Sequence, residues 1–186
     1  ITLCFLFLFN GKKYEQAVTE RLSVSVKVCL EGQDCGSTVQ ASMSVEAAPV
    51  AAKKVELAEG SEHTVKMLNS GDGGQMIFEP AVLKVSVGDT IHFKAADMSH
   101  NSASIDGMLP DGAESWSGQM NADISVTLDT EGVYVYQCDP HVMMAMIGVI
   151  QVGEAVNMNE IKTASNNLKS SFVMNADRID TYLGQL

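Results

Sequence analysis

From His63 onward, apolar and polar residues alternate with period two in short runs rich in β-branched side chains, each bounded by Gly, Asp or Pro. Such alternation places one face of a strand in a core and the other in water. It predicts strands near 64–68, 76–78, 82–87, 90–94, 102–105, 124–128, 133–137 and 147–152. The connections Gly88-Asp89, Pro110-Asp111-Gly112 and Thr130-Glu131-Gly132 supply the residues that tight turns need. Many short strands at this spacing imply an all-β sandwich or barrel of two packed sheets. After Gly153 the period changes, and Ile161, Leu168, Phe172, Val173, Ile179 and Leu183 fall at separations that suit helices. Two short helices packed on the sandwich are expected, the first capped by Asn159 ahead of Glu160.

The chain before this region has a different character. Residues 1–9 are almost wholly apolar and give way abruptly to Asn10-Gly11-Lys12-Lys13. The run is too short to span a membrane; it fits the apolar middle of a truncated secretory signal peptide, cleaved soon after Phe9. Residues 10–48 mix charged, small and polar side chains without a sustained period, and end in the stretch AAPVAAKKVELAEG. We read 10–59 as an extension and linker and 60–186 as one folded domain. The leader implies export, with a periplasmic location and no membrane attachment once it is cleaved. In an oxidising compartment Cys29 and Cys35 would close a small disulfide loop, leaving Cys138 unpaired. The alternative, a metal site on the Cys29 and Cys35 pair, has an unusual spacing and no His nearby. The chain contains no C-x-x-C-H, which excludes covalently attached haem.

Charge narrows the choice of partner. The formal net charge is -11, with 23 acidic residues against 12 basic ones. This argues against nucleic acid or anionic lipid, whose phosphates are recognised by Lys and Arg. The chemistry concentrates in one short segment, Tyr136-Gln137-Cys138-Asp139-Pro140-His141-Val142-Met143-Met144-Ala145-Met146, between two predicted strands. A thiolate, an imidazole and a thioether within one loop form the soft donor set of an electron-transfer copper site, which takes two His and one Cys with a weak axial Met. His100, in MSHNS at the start of a predicted strand, is the natural second imidazole. Each residue also has an ordinary alternative: a buried thiol, a hydrogen-bonded core histidine, a methionine filling the core. Their combination, C-x2-H-x4-M with a distant His-Asn, is harder to explain that way. Spacing alone does not separate Met144 from Met146. His63 and His92 lack such company and read as structural or surface residues.

From about Glu62 to the C-terminus, roughly two thirds of the chain, the sequence resembles the pseudoazurins, a bacterial group within the cupredoxin family of type 1 blue copper proteins. The segments HTVKMLNSGDGGQMIFEPAVLKVSVGDT, HNSASIDGMLPDGAESW and GVYVYQCDPHVMMAMIGVIQVG follow that family's order. The resemblance implies a Greek-key β-sandwich with two C-terminal helices and a single copper held by His100, Cys138, His141 and Met146. It places Met143 and Met144 off the ligand position. It also implies that the Asn101 backbone N–H points at the Cys138 sulfur, and that Met76, Glu79-Pro80 and Met108-Leu109-Pro110 lie near the copper end. Pro140 has no N–H to offer the sulfur.

Two departures from the family stand out. Its members present lysines around the solvent-reaching His, whereas Ser70, Asp72, Met98, Ser117, Gln119 and Gln137 occupy those places here. Between residues 60 and 186 there are six Lys and Arg against sixteen Asp and Glu. A neutral or basic partner face, or apolar contact around His141, is therefore expected. Asp139 stands where a hydroxyl residue is usual, and a carboxylate there favours oxidised copper.

The expected function is that of a monomeric carrier shuttling single electrons between periplasmic redox proteins, with donation to a nitrite reductase or related denitrification enzyme implied by the resemblance alone. The alternative is a copper carrier or store with an exchangeable Met-rich site. An enzyme is not expected, because a catalytic copper needs further His pairs and the chain has four His in all. A metal-free interaction domain would leave the free Cys138 unexplained.

Overall fold

The computed structural model describes residues 53–186. The apolar leader, the proposed pairing of Cys29 with Cys35 and most of the extension lie outside the described residues. Eight strands form two four-stranded sheets. The first holds β2 (Gly74–Glu79), β1 (Glu62–Gly71), β4 (Thr90–Lys94) and β6 (Ile124–Thr127), in that order. The second holds β3 (Val82–Val85), β8 (Ile147–Val152), β7 (Gly132–Gln137) and β5 (Ala103–Ser104). The chain crosses repeatedly between sheets, so β1 runs parallel to β4 and β3 parallel to β8, while the remaining pairs are antiparallel. All eight predicted strands are present. The 82–87 and 102–105 runs are shorter than expected, ending as Val82–Val85 and Ala103–Ser104.

The two sheets differ in how they meet water, and their sequences show why. In β1 buried and exposed positions alternate, with His63, Val65 and Met67 inward. In β8 all six residues are buried, because one face joins the inter-sheet core and the other lies under the C-terminal helices. The apolar run Ile147–Ile150 is what burial on both faces requires, and the one buried polar residue of β8, Gln151, donates its amide to the Gly153 carbonyl at 2.7 Å. Between the sheets, Phe78, Phe93, Trp116, Tyr134 and Tyr136 form an aromatic cluster, with Tyr136 edge-on to Phe78 and Phe93 at 4.7 and 4.9 Å. Pairs of this geometry add about 0.5–1.5 kcal/mol beyond their area burial.

Helices α1 (Met158–Lys169) and α2 (Arg178–Leu183) cover the outer face of the second sheet. Ile161 and Ser165 of α1, then Ile179, Tyr182 and Leu183 of α2, recur at helical spacing and are buried. The expected cap at Asn159 is not the observed one. Helix α1 begins at Met158, with Asn157 in the cap position but no side-chain cap bond. The Asn157 amide is committed elsewhere: it donates to the Val133 carbonyl at 2.9 Å and accepts from the Val133 N–H at 2.7 Å, pinning the helix entry to β7. Part of the stretch read as linker also lies on the sandwich, as the N–H groups of Val55 and Ala58 donate to the carbonyls of Gln185 and Lys84. None of the described helices is long and apolar enough to cross a membrane.

Candidate metal centre

The register between β5 and β7 brings the first two candidate residues together. Ala103 pairs with Gln137. Continuing the antiparallel register sets Ser102 opposite Cys138 and Asn101 opposite Asp139, with His100 next along. Beyond Ala103 the ladder is carried on by a side chain. The Asn101 carbonyl oxygen accepts the Asp139 backbone N–H at 2.9 Å, while its amide donates to an Asp139 carboxylate oxygen at 2.7 Å and to the Gly118 carbonyl at 3.2 Å. The segment carrying His100 is thereby tied to the segment carrying Cys138. Asp139 also accepts from the Gln137 amide at 3.0 Å. It is exposed, so its charge acts on the site through water as well as through these partners.

The loop from Cys138 to Met146 is short and tightly closed. Cys138 is extended, Asp139–Met144 form a 3-10 helix opened by Pro140, and Ala145 turns the chain back in the left-handed region at φ 56°. The turn closes through the N–H groups of His141, Ala145 and Met146, which donate to the carbonyls of Cys138, Val142 and His141. Cys138 N–H donates to the Met146 carbonyl at 3.0 Å, joining the two ends of the loop where β7 and β8 meet. Three residues of 3-10 helix make one turn, which returns His141 to the side of Cys138.

The result is a convergence of donor atoms. Cys138 Sγ lies 3.6 Å from His100 Nδ1 and 3.4 Å from His141 Nδ1. The two imidazole centroids are 4.9 Å apart, and the three donor atoms all lie within 4.8 Å of one another. A trigonal centre with metal–nitrogen and metal–sulfur bonds of about 2.1 and 2.3 Å separates such donors by about 3.8 Å, close to the spacing seen. The tautomer of His100 also fits. Its Nε2 is 3.1 Å from the Asn69 carbonyl oxygen, which can only accept, so the proton sits on Nε2 and the lone pair of Nδ1 faces the sulfur.

Electrostatics match neutral imidazole and a thiol that needs help to ionise. Burial, reinforced by His141, holds the His100 pKa below its ordinary value. Burial likewise raises the Cys138 thiol, with Asp139 adding to the effect, while the backbone N–H groups of Asn101 and His141 pull it down.

Met146 is fully buried in the same core cluster as Cys138. Met143 is 53% exposed, and the Met144 carbonyl is held by Asn175 at the surface. His100 is fully buried and His141 only partly so, which makes His141 the imidazole that approaches solvent. The other two histidines take no part in this group. His63 pairs with buried Asp89 at 2.9 Å, and His92 pairs with Ser125 at 2.7 Å and with Glu62. Asn69 escaped the sequence reading because nothing local marks a β1 side chain as the partner of a His 31 residues later.

Comparison with known proteins places the chain among copper-binding proteins. Residues 65–153 match the family model described as copper binding proteins, plastocyanin/azurin family. The chain is 40% identical over 125 residues to a pseudoazurin of Paracoccus pantotrophus, covering 67% of this chain and 83% of that one. Among solved structures, the pseudoazurin from Methylobacterium extorquens AM1 superposes with a TM-score of 0.61 at 38% identity, over 67% of this chain and 98% of its own. Native pseudoazurin from Hyphomicrobium denitrificans gives the same TM-score of 0.61 and the same coverage at 33% identity.

Proposed function

The chain belongs to the pseudoazurins, within the plastocyanin/azurin family of copper-binding proteins, and on that premise we propose that it is an exported, monomeric carrier of single electrons using one type 1 copper held by His100, Cys138, His141 and Met146. The observation that carries the ligand assignment is the meeting of His100 Nδ1 and His141 Nδ1 on the buried Cys138 sulfur. Met146 would complete the set with its thioether, a reading supported by its burial in the same core cluster as Cys138 while Met143 is exposed. Copper, when bound, supplies the one-electron couple between Cu(I) and Cu(II).

The residues do the rest. Asn69 fixes the His100 ring, Asn101 joins the two ligand segments, and the Asn101 and His141 N–H groups stabilise negative charge on Cys138. Ligands held this firmly by a folded scaffold move little between oxidation states, which is what rapid electron transfer needs. Partly exposed His141 is the route to the surface, and the redox partner docks around it. Voltammetry of the copper-loaded chain should show one reversible one-electron wave and one copper per molecule. Copper that passes readily to a chelator, with no reversible wave, would replace this reading with a copper carrier or store.

The partner's chemistry follows from charge. With sixteen acidic residues against six basic ones between 60 and 186, this domain is served best by a basic or neutral partner face. A periplasmic nitrite reductase or related denitrification enzyme is the proposed acceptor class. Stopped-flow transfer to a partner with a basic docking face should slow as salt rises across the physiological range. Faster transfer to an acidic partner at low salt would overturn the docking assignment.

A further inference from the structure

The C-terminal helices pack on the outer face of the sheet, yet the segment joining them, together with the first residue of α2, is bonded to the ligand loop at three successive carbonyls. Val173 N–H donates to the Met143 carbonyl at 2.8 Å, and the Asn175 amide donates to the Met144 carbonyl at 3.3 Å. Arg178 Nη1 donates to the Ala145 carbonyl at 2.9 Å. These carbonyls end a 3-10 helix and find no partner within it, although that of Ala145 also accepts the Ile147 N–H at 3.0 Å. Arg178 reaches further. The same Nη1 donates to the Met76 carbonyl at 3.1 Å and Nη2 to the Gln75 carbonyl at 3.3 Å, so one guanidinium joins the ligand loop to the start of β2 in the other sheet. Arg178 is itself set in place by its backbone N–H, which donates to the Asn175 carbonyl at 3.0 Å.

We propose that residues 173–178 act as a clasp on the ligand loop, and that Arg178 is a positioning residue for Met146 and His141. The chemistry of Arg suits the task. Its planar fork satisfies carbonyls from two loops at once, whereas Lys has a single ammonium on a flexible stem. Ala145 is the one left-handed residue of the ligand loop and the immediate neighbour of Met146, so its carbonyl direction fixes where the chain enters β8. Met76, the other carbonyl held by Nη1, also has positive φ, at 48°. Arg178 thus braces two non-glycine residues that adopt the sparsely populated left-handed conformation. The three hydrogen bonds of its guanidinium all go to backbone carbonyls, none of them on the four proposed ligands.

The test compares Arg178→Lys and Arg178→Gln with the wild-type chain, and uses Asp180→Asn as a control. The control breaks the ion pair of Asp180 with Lys169, which loosens the same helix pair without touching the ligand loop. In the copper-free protein, both Arg178 variants should speed hydrogen exchange at the Ala145 and Met146 amides by about tenfold, while the control leaves these two amides unchanged. In the copper-loaded protein, whose reading rests on the proposed function, both variants should lose copper to a chelator about tenfold faster, the scale typical of residues that orient metal ligands. Their electron paramagnetic resonance spectra should also change. Wild-type exchange at Ala145 and Met146 in both variants would overturn the clasp. So would protection lost evenly along β7 and β8 in the variants and the control alike. A wild-type chain that takes up no copper would defeat the functional reading, and the exchange experiment would still decide the clasp.

Discussion

Cys138→Ser should abolish the intense visible absorption of the copper-loaded chain and replace its narrow copper hyperfine splitting with that of an ordinary, pale copper site. The intense band arises from charge transfer out of a thiolate, and Cys138 is the free cysteine among the described residues. A serine hydroxyl at the same place does not ionise and is a hard donor, poorly matched to Cu(I). The two imidazoles remain, so copper binding persists but weakens, by on the order of 100-fold. The fold should survive, because the exchange alters one atom at a fully buried position whose backbone N–H and carbonyl keep their bonds to Met146 and His141. Absorption, resonance spectra and a chelator competition on the two proteins settle the matter. A band of equal intensity in the serine variant would remove Cys138 from the site and the ligand assignment with it.

The same geometry shows what a sequence can and cannot disclose. Strands were legible because their signal is local: β1 alternates with each residue, and the turns at Gly88, Gly112 and Gly132 all adopt the positive φ that selects glycine. Cys138 and His141 were legible because they share one turn. His100 was legible as a candidate, and its place beside Cys138 follows once Ala103 is paired with Gln137. The choice of Met146 over Met144 had no local signal, since both fall within the same loop, and it came from the resemblance; that Met146 is buried and Met144 half-buried is a property of the whole fold. The expected cap at Asn159 failed for a related reason. Capping preference was sound, but Asn157 two residues earlier had already been engaged by Val133 of β7. Arg178 lies 102 residues from Met76, and no pattern within the C-terminal segment points to that contact. What escaped the sequence reading is therefore the set of side chains that hold the site from a distance.

The second large effect concerns the strands that carry the ligand loop. Gly148→Ala should destabilise the copper-free domain by about 3 kcal/mol, at the upper end of what a single added methyl group costs in a well-packed interior. Gly148 of β8 is paired with Tyr136 of β7, and the phenol ring lies directly over it. A Cβ at Gly148 would sit 2.2 Å from Tyr136 Cζ, 2.3 Å from the hydroxyl oxygen and 2.7 Å from Cε2. The ring has little freedom to withdraw, because Phe78 and Phe93 meet it edge-on and the residue is fully buried. The clash would therefore pass into the backbones of β7 and β8, two residues from Cys138 on one side and from Met146 on the other. Tyr136 offers a way to separate steric from polar effects. Its buried hydroxyl has no hydrogen-bond partner, and burial drives its pKa far above the ordinary value. Tyr136→Phe should stabilise the domain by about 1 kcal/mol and, by removing one of the three clashing atoms, recover only part of the Gly148→Ala loss. Tyr136→Leu, which removes the ring, should recover more of it and give a coupling energy well above the few tenths expected of independent sites. Urea denaturation of the four proteins and their double variants measures each quantity. A Gly148→Ala protein within about 0.5 kcal/mol of wild type would show that the tyrosine can move aside, and the close packing argued for this pair of strands would have to be abandoned.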